Sequence, residues 1–510
     1  MEKVGFEKRC MILALCITTV HTLLTFFSDR TVFTFPAKGA EGYALGMADY
    51  SVCKVITFLA LFALYYSLLS LFMSEGRYAK ELKQVLLCAM LYLPVIAVVL
   101  FIKLPQGFLT NDEISIYNNA VTLYHDTWFN ILTTYYYIAS LMIFPFKYGP
   151  IIVKVIIEFF VVGYTVFRVR GYFGKIAGSF TYIVFLLYPV IAYTTSAHRL
   201  PVYFLLYLAL FVKLLFDRLS EKKLNTLTFI LILFVGAALT QWRTEGIYLA
   251  VIIPILMLFS YKDLRTVRNV VILIAASALI QFAVSYPQNG IGDNLSGRAN
   301  DRMKPFYAYT ITNMYRNGLD LEKNKEDLAI VDKYLSLDAI RQINEYYEDI
   351  NYEDVLILYK EGFIGTRPEA GVAEFIDYSE ALKRIFVNNP DVFMRTRWGA
   401  FCYAAVPYHI SDMSSGIVSF AFSVIKSISY NLFIPVAITV LLLIISFVKK
   451  KWYSFFFFGG LIGHWFIVFI LAPASYFKYY FPIYIMAYFY VCILAIWKFG
   501  KGTKDIPNPL

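Results

Sequence analysis

An all-α polytopic membrane protein with about twelve transmembrane helices is the fold class that the sequence predicts, and three observations predict it. First, 59% of the 510 residues are hydrophobic and only 16% are charged, against roughly 25% charged in a soluble chain. Second, apolar stretches of roughly 17–23 residues recur along the chain, the length a helix needs to cross a bilayer. They are continuous and do not alternate, which selects helices over a β-barrel. Third, Lys and Arg gather on one side of the layout. The mean hydropathy of +0.60 agrees with all three.

The chain opens with Lys3, Lys8 and Arg9, then an apolar run from Met11 to Phe27. No small-residue cleavage site follows, so the run reads as an uncleaved first helix and not as a signal peptide. Spans are expected at 11–27, 51–73, 84–102, 149–167, 176–193, 201–216, 225–240, 245–260, 267–284, 429–448, 453–472 and 479–497. The segment 128–146, Trp128 to Phe146, is short and aromatic and stops at Pro145. It is expected to be an interfacial helix at the outer surface.

Charge decides that assignment. With both termini cytoplasmic, the segments 1–10, 74–83, 168–175, 213–224, 261–268, 449–452 and 498–510 hold about 22 Lys and Arg, and the short outward loops about 9. This is the positive-inside asymmetry. A thirteenth span at 128–146 would turn Arg168, Arg170 and Lys449-Lys450-Lys451 outward.

Four regions follow. Residues 1–83 form two N-terminal helices. Residues 84–284 form a transmembrane core with an outer loop at 103–148. Residues 285–428 form an outward module, and 429–510 the C-terminal helices. Residues 285–415 hold 14 basic and 20 acidic residues, so the module is net acidic. The patterns from Asp338 to Glu348 and from Ser379 to Asn388 read as short amphipathic helices. Val392 to Tyr403 and Gly416 to Ser427 read as helices along the membrane surface.

Several chemistries are excluded. The net charge of +10 is spread over short loops and does not form the basic face that nucleic acid requires. There is no P-loop motif and no HExxH. Asp-x-Asp is absent too, and Gly290-x-Gly292 lacks a dinucleotide fold's spacing. Six cysteines include no C-x-x-C and mostly lie in or beside apolar spans, where Cys acts as a small hydrophobe. No cofactor is called for, and a divalent metal stays open.

The chemistry-bearing residues concentrate at the outer face. After the third span come Asp112-Glu113 and then His125-Asp126. The next outward turn carries His198 and Arg199, the next Arg243 and Glu245, and the last Lys478. Four turns that bring titratable groups to the apolar boundary predict an anionic headgroup pocket with a carboxylate beside it. A polyprenyl-phosphate sugar fits that chemistry. Arg and Lys bind the phosphate and stabilise the charge that develops as it departs. One carboxylate then suffices as base for an acceptor hydroxyl. Adjacent residues point to different sides, so Asp112 and Glu113 divide the work: one as base, the other toward acceptor, metal or backbone.

The order of these parts resembles the GT-C superfamily of membrane glycosyltransferases, which includes the protein O-mannosyltransferases and the lipid A aminoarabinose transferases. Asp112-Glu113 and the 128–146 segment resemble the early acidic pair and interfacial helices of its first outer loop. Arg199-Leu200-Pro201, Arg243-Thr244-Glu245-Gly246 and Lys478-Tyr479-Tyr480-Phe481-Pro482 resemble its basic outward turns. The layout covers about 84–500, and the two helices before it depart from the usual arrangement. The resemblance implies catalytic Asp112 and Glu113, donor or substrate contacts from His198, Arg199, Arg243, Glu245 and Lys478, no fixed metal ligand, and transfer with inversion. It implies a polyprenyl-phosphate-linked sugar as donor and a cell-envelope glycan, lipid or protein as acceptor, in the cell membrane.

Each residue has a plainer reading beside the functional one. Asp112-Glu113 could cap a helix, Arg243 and Glu245 close a tight turn as an ion pair, and Lys478 snorkel to the interface. His125-Asp126 reads as a solvated pair, and His21 and His464 as packing residues. Lys154 and Glu158, four apart within one span, read as an intrahelical pair. Two other functions stay open: a polymerase of lipid-linked oligosaccharides, and a transporter or flippase, which would place charges near the midplane.

Overall fold

The computed structural model describes residues 2–74, 76–103, 111–126, 128–194, 199–292, 303–346, 365–367, 371–407, 417–499 and 509–510. It is built of helices; the described residues contain no strand, only an isolated bridge between Leu335 and Thr366. Among the described residues eight helices are long and apolar enough to cross a membrane, or up to ten if each of two bent pairs is one span. The bent pairs, Arg77–Met90 with Leu93–Ile102 and Lys175–Phe185 with Tyr188–Thr194, turn by 45° and 68°. The helices over 226–242 and 244–260 are apolar but 17 residues or shorter.

The chain divides into two compact units. The first comprises Met1–Leu295, Leu441–Gly460 and Ile485–Leu510. Its helices begin with α1 (Glu2–Val32), α2 (Tyr43–Met73), α3 (Arg77–Met90), α4 (Leu93–Lys103), α5 (Asn111–Thr122) and α6 (Ile131–Ile143). They continue with α7 (Gly149–Phe173), α8 (Lys175–Ser179), α9 (Tyr182–Phe185), α10 (Tyr188–Thr194), α11 (Arg199–Leu219), α12 (Thr226–Trp242), α13 (Leu249–Ser260) and α14 (Val267–Tyr286).

Burial ranks these helices. In α11 nearly every side chain from Leu200 to Asp217 is covered, so this helix is the hub. In α14 only Leu273 is buried. An apolar helix that exposes most of its surface is suited to lipid, since hydrocarbon is as apolar as its side chains. Local signals set the ends. Pro150 sits in the first turn of α7, where a missing N–H costs nothing, and the helix stops at Gly174 with φ 93°. Asn130 caps α6 by accepting from Leu132 N–H at 3.0 Å.

The segment read as an interfacial helix is α6. Its 13 residues reach about 20 Å, too short to span. Ten of them are buried, including Thr133, Thr134, Tyr135 and Tyr137, against α2, α5, α7 and α12. Protein encloses this helix where an amphipathic surface helix would leave one face open.

The second unit comprises Ser296–Val440 and Leu461–Tyr484. The helices Lys304–Arg316, Leu337–Tyr346, Val372–Asn388 and Pro390–Ala405 enclose Tyr309, Ile311, Met314, Val331, Ile340, Leu382 and Ile385. The pattern from Ser379 to Asn388 lies in Val372–Asn388 and that from Asp338 in Leu337–Tyr346, with 347 and 348 outside the described residues. Arg397 is 1% exposed and donates to Phe469 O at 2.7 Å and Ala472 O at 2.8 Å. These two bonds hold the helix Pro390–Ala405 on the end of Trp452–Leu471.

Candidate functional site

The acidic doublet opens α5, where carboxylates complement the positive end of the helix dipole. One position of rotation separates their roles: Glu113 is fully buried, while Asp112 is half-buried. The helix is held from behind by Ile116 and Ala120, which pack with Ile131, Tyr135 and Ile138 of α6.

Tyr137 of α6 joins the doublet to the next basic turn. It is 1% exposed and feels the charges of both Glu113 and Arg199. Arg199 begins α11, and its guanidinium lies 4.4 Å from the ring centre of Phe129, a cation–π contact. Trp242 Nε1–H donates to Arg199 O at 3.0 Å, and its ring meets Tyr136 edge-on at 5.7 Å. The end of α12 is thereby fixed to the start of α11.

The third basic turn follows directly. Arg243, 9% exposed, pairs with Glu245. Arg243 is extended, and the chain then enters a 3-10 turn, Thr244–Tyr248. Gly246 makes this turn possible: a Cβ there would lie 2.6 Å from Leu239 O. Tyr203, one turn beyond Arg199, feels both Arg243 and Glu245. Glu113 and Arg199 thus lie within electrostatic reach of Tyr137, and the Arg243–Glu245 pair within reach of Tyr203, so all four belong to the neighbourhood of the Arg199 end of α11.

Two buried charges extend this cluster. Lys154 and Glu158 of α7 are each 2% exposed and interact electrostatically. Lys154 also feels Glu113, and Glu158 lies close to the hydroxyls of Tyr92 and Thr194, which donate to the carbonyls of Phe185 and Val190. The pair is thus tied into neighbouring helices and is not merely intrahelical. Charges this deep persist only with partners.

His125 differs from its expected solvated state. Its side chain is 6% exposed, and Nδ1 lies 2.7 Å from Asp49 Oδ2. The other oxygen of Asp49 accepts from the Tyr135 hydroxyl at 2.7 Å. Nearby, Thr34 N–H donates to Val121 O at 2.8 Å. Leu123, at φ 53°, presses its carbonyl to where a Cβ on Gly46 would be 2.5 Å away. Thr34, Gly46 and Asp49 of the N-terminal region thus hold the stretch that follows the acidic doublet, from Val121 to Tyr135. Asp126 closes a local turn by accepting from Trp128 N–H at 3.0 Å. His21 and His464 are packing residues bonded to the Tyr65 hydroxyl and to Tyr479 O.

Lys478 belongs to the second unit, in the 3-10 turn Phe477–Tyr480, with its ammonium 4.5 Å from the Tyr476 ring centre. His198 lies outside the described residues. Among the described residues no group of three His, Cys, Asp or Glu side chains has metal-holding geometry.

No known family, no curated protein and no solved structure matches the chain. The chain is a multi-pass helical membrane protein whose first unit gathers acidic and guanidinium groups near one end of α11.

Proposed function

We propose that this chain is a GT-C-like multi-pass glycosyltransferase of the cell membrane. It has about twelve spans, both termini cytoplasmic, and an active site on the extracytoplasmic face. On this reading the short helices over 226–242 and 244–260 are spans too, and the second unit contains the extracytoplasmic module. The donor is a sugar on a polyprenyl phosphate and the acceptor a hydroxyl of an envelope glycan, lipid or protein.

The supporting observation is half-buried Asp112 beside buried Glu113, whose charge acts, as does that of Arg199, on the buried Tyr137 between them in the fold's first unit. Asp112 can meet a substrate and acts as the base; Glu113, enclosed, orients the cluster. The acceptor hydroxyl gives its proton to Asp112 as its oxygen bonds the anomeric carbon from the face opposite the leaving group. The bond from that carbon to the phosphate oxygen breaks, and the electron pair leaves with the phosphate. Arg199 and Arg243 stabilise the charge that appears there.

The test compares envelope glycans by mass spectrometry in cells lacking the gene and complemented with wild type, Asp112→Asn or Glu113→Gln. A glycan lost in the deletion, restored by wild type and restored by neither variant is expected. Full restoration by both variants rejects the reading.

A second reading, a transporter or flippase, draws on the buried charges Lys154 and Glu158 in α7. It predicts that Glu158→Gln stops substrate movement in proteoliposomes while purified protein forms no glycosidic bond.

A further inference from the structure

The opposite end of α11 carries a second polar cluster that the proposed transfer does not use. Arg199 and Asp217 are separated by most of a 21-residue helix, about 27 Å at 1.5 Å per residue. At the Asp217 end, α3, α7 and α11 surround a recess of about 180 Å³ lined by Glu81, Tyr164, Arg168, Tyr172, Phe216 and Lys222, among others. At about 30 Å³ per water, it has room for roughly six waters, enough for a phosphate and its first ester carbons.

The charges around the recess do not balance. Asp217, 1% exposed, accepts from Arg168 at 2.8 Å, from Lys213 and from the Tyr261 hydroxyl at 2.7 Å. Glu81 is bonded to Arg77 at 2.8 Å. The recess is lined by two cations, Arg168 and Lys222, and one carboxylate, Glu81, already engaged by Arg77, while Asp217 behind it is shared by Arg168 and Lys213. Lys222 registers the excess: burial, then the charges of Arg168 and Lys213, hold its ammonium below its ordinary pKa. The hydroxyl of Tyr172 is buried with no hydrogen-bond partner among the described residues. Topology asks only for basic residues in a loop, and exposed Lys223 next door satisfies that without cost. Concentrating cations in a concavity is favourable only if an anion joins them.

We propose that this recess binds a phosphate group, with Arg168, Lys222 and the Tyr172 hydroxyl as its donors. The walls of Phe167, Tyr172 and Phe216 make the headgroup phosphate of an anionic phospholipid the source that fits best. Its ester arm meets rings and its charge meets the cations, as in basic pockets between transmembrane helices. The site is independent of the glycosyltransferase reading.

The test is native mass spectrometry of the full chain released from nanodiscs of equal phosphatidylglycerol and phosphatidylcholine. Wild type is expected to retain phosphatidylglycerol preferentially. Lys222→Glu should lower that preference about fivefold, the effect of one basic contact. Lys223→Glu, one residue along and exposed, should leave it unchanged. In a parallel arm, inorganic phosphate in detergent is added during thermal unfolding. If it stabilises wild type but not Lys222→Glu, a phosphate site is upheld and its source is a soluble phosphate. Equal retention of both lipids with no response to phosphate overturns the proposal. So does an equal loss in the two Lys variants, which would mark general surface attraction.

Discussion

Asp49 and His125 are in contact across 76 residues of sequence, with Nδ1 of the imidazole 2.7 Å from the carboxylate. The same carboxylate holds the Tyr135 hydroxyl, so a single side chain of α2 joins the segment that follows α5 to α6.

Removing Asp49 leaves two buried donors without an acceptor, which costs about 1–3 kcal/mol each. Asp49→Ala is expected to lower the thermal unfolding midpoint in detergent, and His125→Ala to do so less. The double variant should lose less than the two combined, because the pair acts as one interaction. Strict additivity in that cycle would mean the contact carries no energy.

Under the proposed transfer, in which Arg243 contacts the donor phosphate, Arg243→Ala is expected to raise the donor KM about tenfold or more while expression is retained. Gly246→Ala should act differently, through a backbone clash with Leu239 O that costs about 1–3 kcal/mol. It lowers stability and activity together. Steady-state kinetics beside thermal unfolding separates the two, and an unchanged donor KM in Arg243→Ala would reduce the turn to a structural role.

Lys154 and Glu158 give a prediction with a distinctive sign. Either Lys154→Met or Glu158→Gln alone leaves an uncompensated buried charge and is expected to destabilise by about 3–5 kcal/mol. The double variant removes both charges and should recover much of that loss. Equal destabilisation of single and double variants, measured by unfolding in detergent, would show that the two charges do not stabilise each other.

Orientation is open to a labelling test. In a cysteine-free background, Lys325→Cys is expected to react with an impermeant maleimide added outside intact cells. Lys450→Cys, in the turn after Val448, should react only after permeabilisation. Reversed labelling would invert the proposed topology.

Hydropathy made the long helices legible, because lipid imposes one length and one solution for the backbone. Adjacency made the division between Asp112 and Glu113 legible, since neighbours on a helix cannot face the same way. The Arg243–Glu245 pair, two residues apart, was also within reach of local reasoning. The enclosure of α6 was not, because its aromatic and Thr-rich sequence suits an interface and a polar-lined interior equally. Nor was the burial of His125: its partner lies two helices upstream, and nothing local to Tyr124-His125-Asp126 indicates a carboxylate contributed by α2. A contact that bridges distant elements leaves no periodic trace in either one.

The enclosure of α6 also bears on biogenesis. This helix emerges from the ribosome well before α12, yet α12 supplies part of its covering. Too short to partition into lipid as a span and studded with Thr and Tyr, it has no stable resting place until residue 242 has been made. Nascent chains halted ahead of that point should expose the segment to chaperones and proteases, and the acid cluster is finished only after most of the first unit has been synthesised.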